Sequence, residues 1–493
     1  MKLKTKNLRW SAGRPVVIIN EEASKRLNVH VDEKIYIRHH GKKIFAVVDI
    51  FQGLVKSNEI GMSKEVSIVL KSIDGEPVEI ESASLFEGAR IIRKKLEGAE
   101  LNSTEIRTIV TEITNNNLTE AELAYFLSAE KLIGMTMKEI IALTETMVAT
   151  GRKLDFGKGI IADKHCIGGI AGNRTTPIVV SICAAAGLTI PKNSSRAITS
   201  AAGTADVIET LADVELSVEE IKKVVKKTGA CLVWNGSLNL SPSDDKLIQV
   251  ERLLNLDVEP QLLASILSKK IAAGSNRILI DIPYGGGKIK TKQKAKELGK
   301  KFKIIANHFK IKLKPVYTDG SQPIGNGIGP VLEIMDVLSV LKNEPYCPRD
   351  LKEKSIFLAA ELMTLCGMFF ASKKARELLE SGKAYNKFKE IINAQNEVND
   401  FDTRVAKLRT AKYNKPVYAD YDGILELKNS KINELCRILG TPETITAGVY
   451  FHHHAGPIVS GEKIITLYSE NEQRLEDAMK FITEFQPFKV RKV

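Results

Sequence analysis

The chain has 493 residues, 43% of them hydrophobic, enough for roughly three domains that each bury a core without covalent staples. Its longer apolar runs, such as residues 178–186, fall far short of the ~20 residues of a membrane span, and the N-terminus has no charged-then-apolar signal pattern. A net charge of +12 favours anionic partners, but it is spread along the chain in solvated lysine–glutamate stretches and no nucleic-acid-binding motif is present. A cytoplasmic protein with no membrane contact and no nucleic-acid groove is expected.

Residues 1–84 read as a β-rich N-terminal domain, with strand-like runs at 15–19, 34–37, 44–50 and 67–70 between Gly, Asp and Asn turns. From residue 85 to 158 the period becomes helical. Ile106, Ile109, Val110 and Ile113 share a helix face, and Thr119 with Glu122 and Thr136 with Glu139 form capping boxes. Part of 236–256 is assigned to this helical domain. Residues 159–345 alternate strand-like runs (178–186, 231–234, 278–282, 312–317) with amphipathic stretches, as in a central α/β domain. Residues 346–493 read as a C-terminal α+β domain: helices over 350–381, strands and turns over 416–467, and a last helix over 471–485. The fold class expected is a multidomain α/β protein with its ligand cleft between the helical and α/β parts.

The cysteines (Cys166, Cys183, Cys231, Cys347, Cys366, Cys436) are far apart, with no C-x-x-C pair to suggest a disulfide framework or a zinc site. His452–His454 would alternate faces in a strand and so would not chelate together.

Four patches concentrate chemistry. The first, DKHCIGGIAGNR over 163–174, follows a strand-like stretch at 159–162; its glycines let backbone N–H groups approach an anion, and Lys164 and His165 add charge and donors. Such loops also serve merely to reverse a chain. The second, SSRAITSAAGTAD over 194–206, offers hydroxyls, one arginine and small residues, with Thr204 placed to begin a helix; the same residues also suit a capped turn. In the third, over 257–274, Ser265 and Lys269 lie one helical turn apart, where a hydroxyl and an ammonium could hold one substrate, and Asp257 before Pro260 reads as an N-cap. The fourth, DIPYGGGK over 281–288, ends a strand where α/β folds bind ligands.

Together the patches resemble, in order and spacing, the pyrimidine-nucleoside phosphorylase family, over about residues 85–490. Three departures are similar to the archaeal AMP phosphorylase branch: Cys166 in place of the usual Ser, Thr199-Ser200-Ala201-Ala202 before Gly203-Thr204, and the N-terminal domain. A thiol is a poorer donor to phosphate than a hydroxyl. The resemblance implies phosphorolysis, AMP + phosphate → adenine + ribose 1,5-bisphosphate, with CMP and UMP as further substrates, no metal or cofactor, and a homodimer or larger homo-oligomer. It also implies that Lys164, Ser195 and Thr204 hold the attacking phosphate. Gly169, Ser195, Arg196, Ala197, Ile198, Thr199, Ser200, Thr204, Ser265 and Lys288 would line the nucleotide site, and Asp257 would protonate the leaving base. A substrate with a 5′-phosphate needs a second anion site, for which Arg196 with the neighbouring hydroxyls is the candidate.

Alternatives are an ordinary nucleoside phosphorylase, a magnesium-dependent phosphoribosyltransferase, for which the patches lack an acidic metal pair, and a basic nucleic-acid-binding protein. An acid role and an N-cap role for Asp257 diverge under substitution by Asn, which caps but does not protonate.

Overall fold

The computed structural model describes residues 1–82, 87–197, 200–254 and 256–492. The chain divides into two compact units, Met1–Thr146 with Lys246–Gln261, and Met147–Asp245 with Leu262–Val493.

The first unit opens with a closed barrel of six strands: β1 (Lys2–Asn7), β2 (Val16–Ile19), β3 (Lys34–His39), β4 (Lys42–Ile50), β5 (Glu59–Met62) and β6 (Pro77–Ser82). Alternation fills it: Ile35 and Ile37 are buried with Val17, Ile19, Val48, Ile60, Met62 and Ile80. The barrel closes where β1 pairs antiparallel with β6, which leaves no free edge. The strand expected at 67–70 is instead part of the helix Lys64–Leu70. Val66 and Leu70, four apart, are buried while Ile68 and Val69 face solvent, so a β-branched run conceals a helical period.

Helices Glu87–Leu96, Ser103–Thr114 and Glu120–Leu132 follow, then Met137–Thr150, which runs on into the second unit. Both expected capping boxes are present: Thr119 N and Thr136 N donate to Glu122 and Glu139 at 2.6 and 2.7 Å, and each threonine hydroxyl accepts in return.

The second unit is built on parallel strands β7 (Ala162–Cys166), β8 (Ile190–Ser194), β9 (Ala230–Trp234), β10 (Arg277–Gly285) and β11 (Lys312–Gly320). β11, β10 and β7 form one sheet and β8 and β9 another, with a parallel bridge between Ile161 and Thr189 joining them. The strand expected at 178–186 is the helix Thr175–Ala185, in which Thr175 through Ala184 are all buried. A helix that is apolar on every side shows no period, and sequence alone does not separate it from a buried strand.

The helices Arg349–Leu365, Ala371–Glu380 and Lys383–Gln395 share one core with this sheet through Leu358, Leu362, Phe388 and Ile392. A second core is built on the antiparallel sheets of β12 (Gly327–Ile328), β13 (Tyr413–Tyr418), β14 (Gly423–Leu427), β15 (Gly448–Phe451), β16 (Gly456–Ile458), β17 (Lys463–Ser469) and β18 (Phe488–Arg491). The helices Asn429–Leu439 and Glu472–Phe485 pack in it. Ala171 and Ala201, from two of the chemistry-bearing patches, belong to this second core.

Candidate active site

β7 runs through Cys166, so Asp163 through Cys166 lie in a strand and only the glycines beyond form a loop. The expected strand at 159–162 thus begins three residues later, with the polar side chains carried inside the sheet. Strand alternation puts Lys164 and Cys166 on one face and Asp163 and His165 on the other.

On the first face Lys164 Nζ donates to Thr175 Oγ1 at 2.8 Å and to Thr176 Oγ1 at 3.3 Å, at the start of the helix that follows the glycine loop. Burial lowers this ammonium from the ordinary lysine value, against the pull of Cys166 and Asp281. The Cys166 thiol donates to Asp281 Oδ2 at 3.2 Å and accepts from Asn173 Nδ2 at 3.2 Å. Burial and the Asp281 carboxylate push that thiol up to about 12. Asp281 Oδ1 accepts from Thr318 at 2.6 Å, and Lys354 Nζ stands 3.4 Å from Oδ2.

The two glycine loops touch. Gly169 adopts φ +103, and a Cβ there would lie 3.0 Å from the backbone N of Lys288. Gly172, at φ +66, approaches so closely that a Cβ would meet Ile324 O at 2.5 Å.

On the second face Asp163 pairs with Lys270 at 2.7 Å and Lys192 at 3.7 Å, all three buried. Burial, then Lys270 and Lys192, hold the His165 imidazole well below its usual range. In the helix Glu259–Ala272, Ser265 Oγ and Lys269 Nζ both reach Asp244 Oδ2 at 2.7 Å, and Lys269 also reaches Asp245 at 2.9 Å. Although burial opposes it, these carboxylates hold the Lys269 ammonium up at about 12.

The serine-rich segment folds back on the helix Thr204–Glu209. A Cβ on Gly203 would lie 2.5 Å from Ser195 O, and Ala205 N donates to that carbonyl at 3.3 Å. Asp206 Oδ2 accepts from Ala197 N at 2.8 Å and Gly203 N at 2.7 Å. Ser195 is exposed and Ser200 Oγ donates to Ala202 O at 2.8 Å; Ile198 and Thr199 lie outside the described residues. Arg196 binds Glu209 through both terminal nitrogens, meets Glu215 at 2.9 Å and covers the Trp234 ring at 4.9 Å. Its guanidinium is thus engaged by carboxylates in this arrangement.

Asp257 belongs to the first unit, while the other candidates described here belong to the second. It is exposed, two residues before the helix that carries Ser265, and its carbonyl accepts from Lys131 Nζ at 2.6 Å.

Sequence reasoning missed four residues that contact these patches. Arg174 joins the first two patches: Nη1 donates to Thr204 Oγ1 at 2.9 Å, Nη2 to Ala202 O at 2.8 Å, and Nε to buried Glu333 at 2.6 Å. Its place at the end of the first patch was the one available signal. Asn429 and Asn433, four apart on one helix, hold loop backbone: Ala171 N donates to Asn429 Oδ1 at 3.1 Å and Ala201 N to Asn433 Oδ1 at 3.0 Å. Nothing local marks them. Lys354, paired with Asp281, is the fourth.

The imidazoles of residues 452–454 take separate partners, Thr466 at 2.9 Å, Glu462 at 3.8 Å and Asn326 at 3.1 Å. Among the described residues, metal-ligand spacing occurs at His39, His40 and Glu76 in the barrel, where His39 Nε2 lies 3.0 Å from Glu76 Oε2.

Residues 89–151 match the helical bundle domain of a glycosyl transferase family, and residues 158–385 match the α/β domain of that family. The AMP phosphorylase of Natronomonas pharaonis is 40% identical over 98% of this chain and 96% of its own length. That of Thermococcus kodakarensis is 40% identical over 99% of this chain and 98% of its own. A crystal structure of anthranilate phosphoribosyltransferase from Thermus thermophilus aligns with a TM-score of 0.52 at 18% identity, covering 62% of this chain and 99% of that one. That likeness speaks for the fold alone.

Proposed function

The chain belongs to the AMP phosphorylase family, and from that premise we propose that it cleaves AMP with inorganic phosphate, giving adenine and ribose 1,5-bisphosphate. The observation that carries the reading at the level of residues is the buried Lys164 ammonium beside the glycine loop, within reach of Thr175, and tied through Arg174 to Thr204. A cation, hydroxyls and backbone donors at the carboxyl end of parallel strands suit a phosphate dianion.

In the reaction, a phosphate oxygen forms a bond to the ribose anomeric carbon as the bond from that carbon to the base nitrogen breaks, through an oxocarbenium-like state. The electron pair leaves with the base. Asp257 supplies the proton that makes adenine neutral, and the proton of hydrogen phosphate restores the balance. Lys164, Ser195 and Thr204 position the attacking phosphate, which is drawn to the positive sugar. Gly169, residues 195–200, Thr204, Ser265 and Lys288 line the nucleotide site. Arg196 meets the 5′-phosphate by releasing Glu209 or Glu215, so nucleotide binding exchanges one anion for another.

CMP and UMP are further substrates of the same site, and the working form is a cytoplasmic homodimer or larger homo-oligomer. The chemistry needs no metal or cofactor, so dialysis against a chelator leaves turnover unchanged. The test is base release from AMP, with adenosine in parallel, each with and without phosphate. Phosphate-dependent adenine release from AMP alone supports the reading; release from adenosine alone replaces it with a nucleoside phosphorylase.

A further inference from the structure

Strand β7 carries charge on both faces, and each face sets two lysines against one buried aspartate. Asp163 meets Lys270 and Lys192 on one side. On the other, Asp281, paired in register with Cys166, meets Lys354, and both Asp281 and Lys354 lie within electrostatic range of Lys164.

Lys354 has no catalytic motif around it. It projects from the helix Arg349–Leu365, between the buried residues Leu351, Ser355 and Leu358. Its side chain is only 10% exposed, and among the described residues its Nζ has no hydrogen-bond acceptor; the contact it makes is the 3.4 Å ion pair with Asp281 Oδ2. An ammonium buried with one loose ion contact costs stability, and an apolar pair in place of Lys354 and Asp281 together would pack there at lower cost. A purely structural account leaves that cost without a return.

The position of Asp281 supplies one. Its two oxygens take the Thr318 hydroxyl and the Cys166 thiol, at the point where β7 ends and the glycine loop begins. Lys354 acts electrostatically on both Lys164 and Cys166. Two ammonium groups against one carboxylate leave a surplus positive charge on the face where a dianion is to be held.

We propose that Lys354 is a further residue of the phosphate site, a positioning cation that holds Asp281 against Cys166 and adds positive potential where Lys164 meets inorganic phosphate. The inference rests on the reading of Lys164 given above. It predicts an effect on phosphate that a merely structural ion pair does not have.

The test is steady-state kinetics of the full-length protein, varying phosphate and AMP separately, for wild type, Lys354→Met, Lys354→Arg and Lys164→Met, with thermal unfolding alongside. Lys354→Met should raise the phosphate KM by about tenfold or more while the AMP KM stays within about twofold, and Lys354→Arg should recover most of the loss. Should Lys354→Met fail to fold, Lys354→Gln removes the charge but keeps a hydrogen-bond donor for Asp281, and it carries the same expectation. A Lys354→Met, or Lys354→Gln in its place, with an altered unfolding temperature but both KM values unchanged, or with both raised equally, overturns the inference. If Lys164→Met raises the phosphate KM and Lys354→Met does not, the inference falls alone. If Lys164→Met leaves the phosphate KM unchanged, the phosphate reading and the inference fall together.

Discussion

Arg174 Nη1 donates to Thr204 Oγ1 across 2.9 Å, joining the glycine loop to the start of a helix thirty residues further on. The same guanidinium neutralises Glu333, which burial raises above the usual carboxylate range. Arg174→Met should therefore do two things: lower kcat/KM for phosphate by about a hundredfold, and destabilise the fold by ~3–5 kcal/mol because Glu333 is left buried and unpaired. Adding Glu333→Gln should restore most of the stability and none of the phosphate use. Recovery of both by the double variant would make Arg174 structural only.

Asp257 is exposed, and its side chain can be changed at little cost to folding. Asp257→Asn should lower kcat for AMP by ~10²–10⁴-fold with an unchanged unfolding transition. A variant that keeps most of its turnover would remove the proton-donor role, since Asn matches Asp in shape but has no acidic proton to give.

The second core reaches the site through Asn433, whose Oδ1 accepts from Ala201 N at 3.0 Å. Asn433→Ala frees that backbone group and loosens the segment at Ala201. The AMP KM should rise about tenfold while the phosphate KM moves less, read from the same two-substrate kinetics. Equal changes in both would show that the asparagine steadies the fold in general.

What was legible in the sequence was local. Capping boxes at Thr119 and Thr136, the turn spacing that puts Ser265 and Lys269 on Asp244, and the strands at 278–282 and 312–317 all follow from short-range periodicity. The runs at 67–70 and 178–186 misled because β-branched residues fill a buried or half-buried helix as readily as a strand when tertiary packing decides. Among site residues, Lys164 and Thr204 stood out by their glycine-rich surroundings. Lys354, Asn429 and Asn433 did not, because their partners are 73, 258 and 232 residues away: Asp281, Ala171 and Ala201. No pattern within one window carries such a pairing.

Asp336 gives the fold a pH dependence of its own. Burial raises its carboxyl from 3.8 to about 7, against the N–H groups of Gly327 and Asn326 that favour the charged form. Folding thus favours the protonated acid, so its contribution to stability is full below pH 3.8 and is lost as pH rises toward 7. Asp336→Asn, which keeps the acceptor oxygen, should flatten the urea midpoint between about pH 4 and pH 7. Parallel curves for the two proteins would show that Asp336 does not titrate there.

In phosphorolysis inorganic phosphate itself attacks the sugar of AMP. Incubating the protein with AMP and radiolabelled inorganic phosphate and following the label distinguishes this from hydrolysis. One label should be incorporated into a sugar bisphosphate for each adenine released. Adenine release with the label remaining in inorganic phosphate would mean that water is the nucleophile, and the phosphate site built around Lys164 would have to be given up.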